Sequence, residues 1–294
     1  MPSLKEVRNR IVSVNSTQQI TKAMKMVSAA KLRRATEAIT QMRPYSKKLT
    51  EMIATVSSNT DGSNENPYTV VREIKNVLVI AVTSDRGLCG AFNANVGKVV
   101  INLIDEKYAS QQAAGNVEVM AIGKKGSEYL TRRGYKVTNK FAGIYARLSF
   151  AAVREAAEEA MKGFEEGKYD VVEVVYNQFK NVATQILTTE QILPMVETKS
   201  DVVKTSNVDY IFEPSEEEII NELMPKALKL QIYKAVLESN ASEHGARMTA
   251  MDKATDNAGE LIKALKLEYN RSRQAAITKE ILEIVGGAEA LAAA

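Results

Sequence analysis

Ile220, Leu223, Ala227, Leu230, Leu237 and Ala241, then Met248, Met251, Ala258, Ile262, Leu265, Tyr269 and Ala276, mark an apolar stripe through residues 215–294. The steps are three, four or seven residues, and the stretch holds one proline, Pro225, near its start. A stripe sustained so far beyond the length of an ordinary globular helix predicts a coiled-coil helix. At 1.5 Å per residue it would extend roughly 110 Å. A helix of that length needs a partner. The N-terminal segment supplies one, because Leu4, Val7, Ile11 and Val14, then Ala38, Met42, Tyr45, Leu49, Met52 and Val56, keep nearly the same rhythm.

The N-terminal stripe is the shorter of the two, so an antiparallel pairing leaves part of the long helix without a partner from its own chain. The final run, Gly286-Gly287-Ala288-Glu289-Ala290-Leu291-Ala292-Ala293-Ala294, is small and nearly uncharged. A slender, smooth, apolar rod suits passage through a hole in something else. Pro44 lies inside the first stripe and predicts a bend there, not an end.

Between the stripes the pattern changes. Residues 57–67 are rich in turn formers and mark a boundary. Asn76-Val77-Leu78-Val79-Ile80-Ala81-Val82 then reads as a strand covered on both faces. Helices are expected at 91–108, 124–133 and 149–166, and strands at 117–122 and 170–178. A short extended piece lies near 135–139, and a segment at 183–193 can pair with the preceding strand as a hairpin. This alternation predicts an α/β layered, Rossmann-like domain with a mostly parallel sheet, inserted between the two coiled-coil helices. The expected organisation is residues 1–58 as the N-terminal helix, 70–205 as the α/β domain, and 209–294 as the C-terminal helix pairing with 1–58. Ser215 is the expected N-cap, with Glu216, Glu217 and Glu218 in the first turn.

The composition, 45% hydrophobic and 26% charged over 294 residues, is that of a chain that folds. No run approaches the length of a membrane span, and Met1-Pro2-Ser3-Leu4-Lys5-Glu6 lacks the apolar core of a signal peptide, so a cytosol-like compartment is expected. One cysteine, Cys89, and one histidine, His244, exclude an internal disulfide and argue against Cys- or His-clustered metal sites. The net charge of +3 is unevenly spread. Residues 1–48 carry eleven Lys or Arg against Glu6 and Glu37, a local +9, leaving −6 for the remainder. Such a basic helix is a solvated surface, a nucleic-acid rod, or a face for an acidic protein partner.

Thr83-Ser84-Asp85-Arg86-Gly87-Leu88-Cys89-Gly90-Ala91-Phe92 follows the first strand and opens a helix, where α/β sheets bind phosphate or place a nucleophile. Its glycine spacing fits neither the dinucleotide nor the Walker pattern. A catalytic Cys89 would need a base, and the only histidine lies in the long helix. A tight turn around a small buried thiol is the favoured reading. His244 in the coil reads as a packing or register residue, and Gly245 and Gly259 as points of close approach.

Several motifs together resemble the γ subunit of F-type ATP synthase. They are Ile20-Thr21-Lys22-Ala23-Met24-Lys25-Met26-Val27, Asp85-Arg86-Gly87-Leu88-Cys89-Gly90, Ala246-Arg247-Met248-Thr249-Ala250-Met251 with Ala254-Thr255-Asp256-Asn257-Ala258, and residues 272–290, beginning Ser272-Arg273-Gln274-Ala275-Ala276-Ile277-Thr278-Lys279-Glu280. The resemblance implies a central rotor shaft of bacterial type inside a ring of α and β subunits, with the α/β domain at its foot. It implies a non-catalytic subunit without cofactor or metal of its own, peripheral to the cytoplasmic face of the plasma membrane. The implied partners are the α and β subunits, the ε subunit and the membrane c-ring, with no nucleic acid and no direct membrane insertion.

Carried onto matching positions, the resemblance implies rotor–stator contacts at Met24, Lys25, Arg247, Arg273, Gln274, Thr278 and Glu280. It implies membrane-ring and ε contacts at Tyr210 and Glu213. Residues 194–206 are short and lack the cysteine pair of plant-type relatives, so no thiol switch is expected. A nucleic-acid-binding coiled coil would explain the basic helix but not residues 272–290. A cysteine-dependent α/β enzyme would explain the 85–90 loop but leave both long helices without a task.

Overall fold

The structure, a computed structural model, describes residues 3–59, 66–195 and 216–292. Tyr210, Glu213 and the expected N-cap Ser215 lie outside the described residues. Two long helices flank an α/β region: α1 (Leu4–Asn59) and α6 (Glu216–Ala292). Between them lie β1 (Val77–Val82), α2 (Phe92–Lys107), α3 (Ala109–Ala113), β2 (Val117–Ile122), α4 (Lys124–Thr131), β3 (Val137–Thr138), a 3₁₀ turn (Ile144–Arg147), α5 (Phe150–Glu165), β4 (Val171–Phe179) and β5 (Gln185–Leu193). The chain divides into two compact units. One comprises Met1–Ser28 with Met248–Ala294, and the other comprises Ala29–Arg247.

In the larger unit the five strands form one sheet of order β3-β2-β1-β4-β5. β1 pairs in parallel with β2 and β4, β2 pairs in parallel with β3, and β5 closes one edge antiparallel to β4. The alternation of side chains along a strand sorts the continuous apolar run of β1 onto two faces. Val77, Val79 and Ala81 join Val96, Val100 and Ile104 of α2 and Leu130 of α4. Leu78, Ile80 and Val82 join Val153, Ala156, Ala157, Ala160 and Phe164 of α5. Ile220, Met224, Leu228, Ile232 and Val236 of α6 complete that second layer. On another face of α6, Leu230 meets Leu49 and Ile53 of α1. The helix is therefore clasped on two sides, which explains why residues 235–243 are buried almost all round.

In α1, Leu4, Val7, Ile11, Val14, Gln18, Thr21, Lys25, Ser28, Leu32, Ala35, Ile39, Met42, Ser46, Leu49 and Ile53 are buried or half-buried, in strict alternating steps of three and four. This is an unbroken heptad seam, and the helix runs uninterrupted through Pro44. The stripe expected at Ala38, Tyr45 and Met52 is displaced by one residue. The inward positions are Ile39, Ser46 and Ile53, while Tyr45 is 60% exposed. Two outward-facing apolar side chains mimicked a seam that contains a serine. In the smaller unit the helices run antiparallel, with Thr21 opposite Thr255 and Lys25 opposite Asp252. In the larger unit Arg43 meets Glu238 in the same sense, with Leu49 and Leu230 beyond.

Candidate functional site

The strand order reverses between β1 and β4, and the crevice beyond their carboxyl ends is where open α/β sheets ordinarily take a ligand. Here α6 fills that place. Ser242 Oγ donates to the Asn177 carbonyl at 3.1 Å, and Ser239 Oγ makes a long 3.5 Å approach to the Val82 carbonyl. The Glu238 carboxylate accepts from the Phe179 amide at 2.9 Å. Backbone groups that would meet solvent or substrate are thus met by side chains of the chain's own helix.

The loop after β1 is held the same way. Asp85 Oδ1 accepts from the amides of Lys124 and Gly143, both at 3.0 Å. Thr83 Oγ1 accepts from the Gly126 amide at 2.9 Å. Gly123 has φ +103°, and a Cβ there would lie 2.3 Å from the Thr83 carbonyl oxygen, so only glycine permits this crossing. Arg247 donates from Nε and Nη2 to the Gly87 carbonyl at 3.3 and 3.2 Å, and from Nη2 to the Arg86 carbonyl at 3.1 Å. Its Nη1 lies 2.6 Å from Glu243 Oε1, with both side chains less than a tenth exposed.

Burial raises the Glu243 carboxyl above the usual range, and the Arg247 charge opposes that rise. His244 Nδ1 lies 3.3 Å from Arg247 Nη1, and burial, reinforced by the charges of Arg247 and Lys31, pushes its pKa down to about 4. The imidazole is therefore neutral near pH 7 and able to accept that bond. Cys89 is buried, with Asn93 Nδ2 3.2 Å from its sulfur, and burial raises its thiol pKa. Ser84, the Arg86 carbonyl and Asn93 are its hydrogen-bond partners, and none of them is a general base. This arrangement secures a turn and does not activate a nucleophile.

The smaller unit presents a different surface. Its seam turns polar where Thr21 Oγ1 and Thr255 Oγ1 pair at 2.8 Å, Gln18 Nε2 donates to the Thr255 carbonyl at 3.3 Å, and Lys25 Nζ meets Asp252 Oδ1 at 2.5 Å. Met24 is half-buried beside this layer, while Val12, Ile20, Met26 and Val27 project outward from α1. Along α6, Ala276 is the last half-buried position up to residue 288, and residues 277–288 are exposed on every face. That stretch carries Ile277, Ile281, Leu282, Ile284 and Val285, all 48% exposed or more. Arg273, Gln274, Thr278 and Glu280 are exposed too, and make no hydrogen bond or ion pair among the described residues.

The family model described as ATP synthase matches residues 3–291. The ATP synthase gamma chain of Cytophaga hutchinsonii is 61% identical over 293 residues, and that of Flavobacterium johnsoniae is 57% identical over 291, each alignment covering 99% of both chains. The chain belongs to the ATP synthase gamma chain family. Among solved structures, the central stalk and c-ring of the Tetrahymena thermophila mitochondrial ATP synthase contains a chain of 26% identity and TM-score 0.57, aligned over 80% of this chain and 99% of that one. A chain of the Euglena gracilis mitochondrial ATP synthase shares the fold at TM-score 0.67 and 23% identity, covering 98% and 94%.

Within this gamma-chain fold, Met24 and Lys25 share one turn of α1, and Arg273, Gln274, Thr278 and Glu280 share a run of two turns on α6. Arg247 is placed differently from those six, because its guanidinium is engaged inside the chain by Glu243 and the 86–87 carbonyls. Sequence reasoning passed over Arg43, Glu238, Ser239, Ser242 and Glu243. For the four on α6 the signal was available in Glu238-Ser239-Asn240-Ala241-Ser242-Glu243-His244-Gly245, a largely polar run inside an otherwise amphipathic helix, whereas Arg43 is one of many cations of α1.

Proposed function

We propose that this chain is the central rotor shaft of a proton-translocating F-type ATP synthase. It couples ion-driven rotation of a membrane c-ring to ATP synthesis in a surrounding ring of α and β subunits. Family membership sets the frame, and the single observation that carries the mechanical reading is the exposed end of α6. That end is exposed on every face yet carries Ile277, Ile281, Leu282, Ile284 and Val285 beside Lys279, Glu280 and Glu283, and clustered exposed apolar surface of this kind marks an interaction site. A ring of larger subunits around the helix tip would cover that apolar surface.

On this reading the chain is non-catalytic and acts from the cytoplasmic face of the bacterial membrane as a peripheral subunit. No helix among the described residues is long and apolar enough to cross a membrane. Met24, Lys25, Arg273, Gln274, Thr278 and Glu280 make the contacts with the catalytic ring. Tyr210 and Glu213 contact the c-ring and the ε subunit. Arg247, assigned to the ring contact by resemblance, serves it indirectly by holding the 85–90 loop on α6.

The test begins with co-purification, which should yield a complex holding three copies each of two larger nucleotide-binding subunits. In that complex Arg273→Ala with Gln274→Ala should leave subunit content unchanged, since neither side chain supports the fold. Losing charge-assisted hydrogen bonds in a partly buried contact costs about 1.5–3 kcal/mol, so ATPase and ATP-driven proton uptake in vesicles should both fall several-fold. Wild-type rates in a fully assembled variant would remove these residues from the contact.

A further inference from the structure

Glu238 is a carboxylate with 1% side-chain exposure, held by partners from two other elements. Its Oε1 accepts from Arg43 Nε at 3.0 Å and Arg43 Nη2 at 2.9 Å. Its Oε2 accepts from the Phe179 amide at 2.9 Å and from Arg43 Nη2 at 3.1 Å. Arg43 Nη2 also donates to the Phe179 carbonyl at 3.0 Å. The result is a closed ring of hydrogen bonds in which α1 supplies Arg43, α6 supplies Glu238, and the end of β4 supplies both backbone groups of one residue. Ile39, Met42, Lys234 and Leu237 flank the pair.

Apolar packing resists separation of two elements but discriminates poorly between neighbouring registers, whereas a forked guanidinium–carboxylate contact has a narrow geometry. Burying a carboxylate is also costly, and apolar groups of similar volume often stabilise a fold as well or better. The retained charges therefore point to orientation. We propose that Arg43 and Glu238 are positioning residues that fix the rotational setting of the α1–α6 pair against the sheet within the larger unit, so that this part of the two helices and the α/β fold turn as one body. The proposal rests on the rotor reading for its consequence, energy coupling, but not for its geometry.

Two variants separate the roles. Arg43→Met with Glu238→Leu removes both charges and leaves neither one buried alone, while Glu238→Gln keeps an acceptor for the Phe179 amide. In assembled complexes, the double variant should hydrolyse ATP within roughly twofold of wild type. Its proton uptake per ATP should fall about threefold or more, a size typical of residues that carry coupling between distant sites. Glu238→Gln should fall between the double variant and wild type. A wild-type ratio in the double variant, or ATPase and pumping lost in parallel, overturns the proposal.

Hydrogen exchange on the purified full-length chain keeps the geometry testable where assembly fails. The Phe179 amide should exchange about tenfold faster in the double variant relative to the Val174 amide of the same strand, as a locally released bond does. An unchanged ratio overturns the proposal. A wild-type chain that joins no such complex would sink the rotor reading instead, leaving the exchange result to judge the geometry alone.

Discussion

Replacing Arg247 by methionine tests whether the polar block over the sheet crevice is held by a true buried charge pair. Arg247 and Glu243 are each less than a tenth exposed, and their 2.6 Å contact is the main compensation for a carboxylate out of water. Breaking a buried pair from one side costs about 3–5 kcal/mol because the remaining charge stays unpaired. The Arg86 and Gly87 carbonyls lose their donor as well, adding about 1 kcal/mol. Against a typical total stability of about 5–15 kcal/mol this is a large loss.

The same variant carries a pH signature. Burial already raises the Glu243 carboxyl, and removing the opposing Arg247 charge raises it further. A carboxyl whose folded pKa lies above its unfolded value binds a proton more readily in the fold. The penalty is therefore full above the folded pKa and is relieved as pH falls through it. Urea unfolding of the full-length chain, followed by circular dichroism and tyrosine fluorescence between pH 8 and pH 5, should show the Arg247→Met deficit shrinking on acidification. Adding Glu243→Gln should recover more than half of the deficit at pH 8 and flatten its pH dependence. A deficit below about 1 kcal/mol, within the range of ordinary surface changes, or one indifferent to pH, would refute the buried-pair reasoning.

His244 is the only histidine in the chain, so its ring resonance can be followed without assignment ambiguity. It should titrate near pH 4 in the wild type and higher in Arg247→Met; its folded pKa lies below the unfolded 6.5, so the stability it lends is present above pH 6.5 and lost as pH falls toward 4. A wild-type midpoint above 6 would show that the imidazole is solvated. Cys89→Ser should leave ATP turnover by the assembled complex nearly unchanged, since the thiol is buried and has no base beside it. A loss beyond about tenfold with intact assembly would give Cys89 a chemical role.

The elements of the α/β region were legible to within a residue or two because a sheet covered on both faces leaves continuous apolar runs, bounded by turn formers. α3 (Ala109–Ala113) and the 3₁₀ turn at Ile144–Arg147 were not read, being too short to express a period. The seam of α1 was legible at Leu4, Val7, Ile11 and Val14 and again at Met42 and Leu49. It was lost between them, since Gln18, Thr21, Lys25 and Ser28 occupy seam positions that an apolar count passes over, and the run picked up again at Ala38, one residue short of the seam position Ile39. The polar block of α6 was missed for a related reason. Glu238 and Glu243 read as solvent-facing when a helix is assumed to have one buried side, and this one has two.

The two compact units are stabilised by different means, and that difference bears on how such a chain behaves when it is free. The larger unit has apolar layers on both faces of its sheet and buried, fully partnered charges at Glu238 and Arg247. The smaller unit has a single seam in which Val7, Met251, Ala258 and Leu265 are buried, and its middle is a polar layer of Thr21, Thr255, Lys25 and Asp252. Polar side chains in a coiled-coil seam specify register at a cost in stability. Lys25 and Asp252 are each more than a third exposed, so their pair adds only about 0.2–1 kcal/mol. Few buried apolar contacts and exposed helical backbone place a region at the low end of local unfolding free energy. Amides of residues 4–28 and 248–276 should therefore exchange faster in the isolated chain than those of β1 and β4. Enclosure by a ring of larger subunits would close that gap, because it supplies the apolar burial that residues 277–288 lack within their own chain.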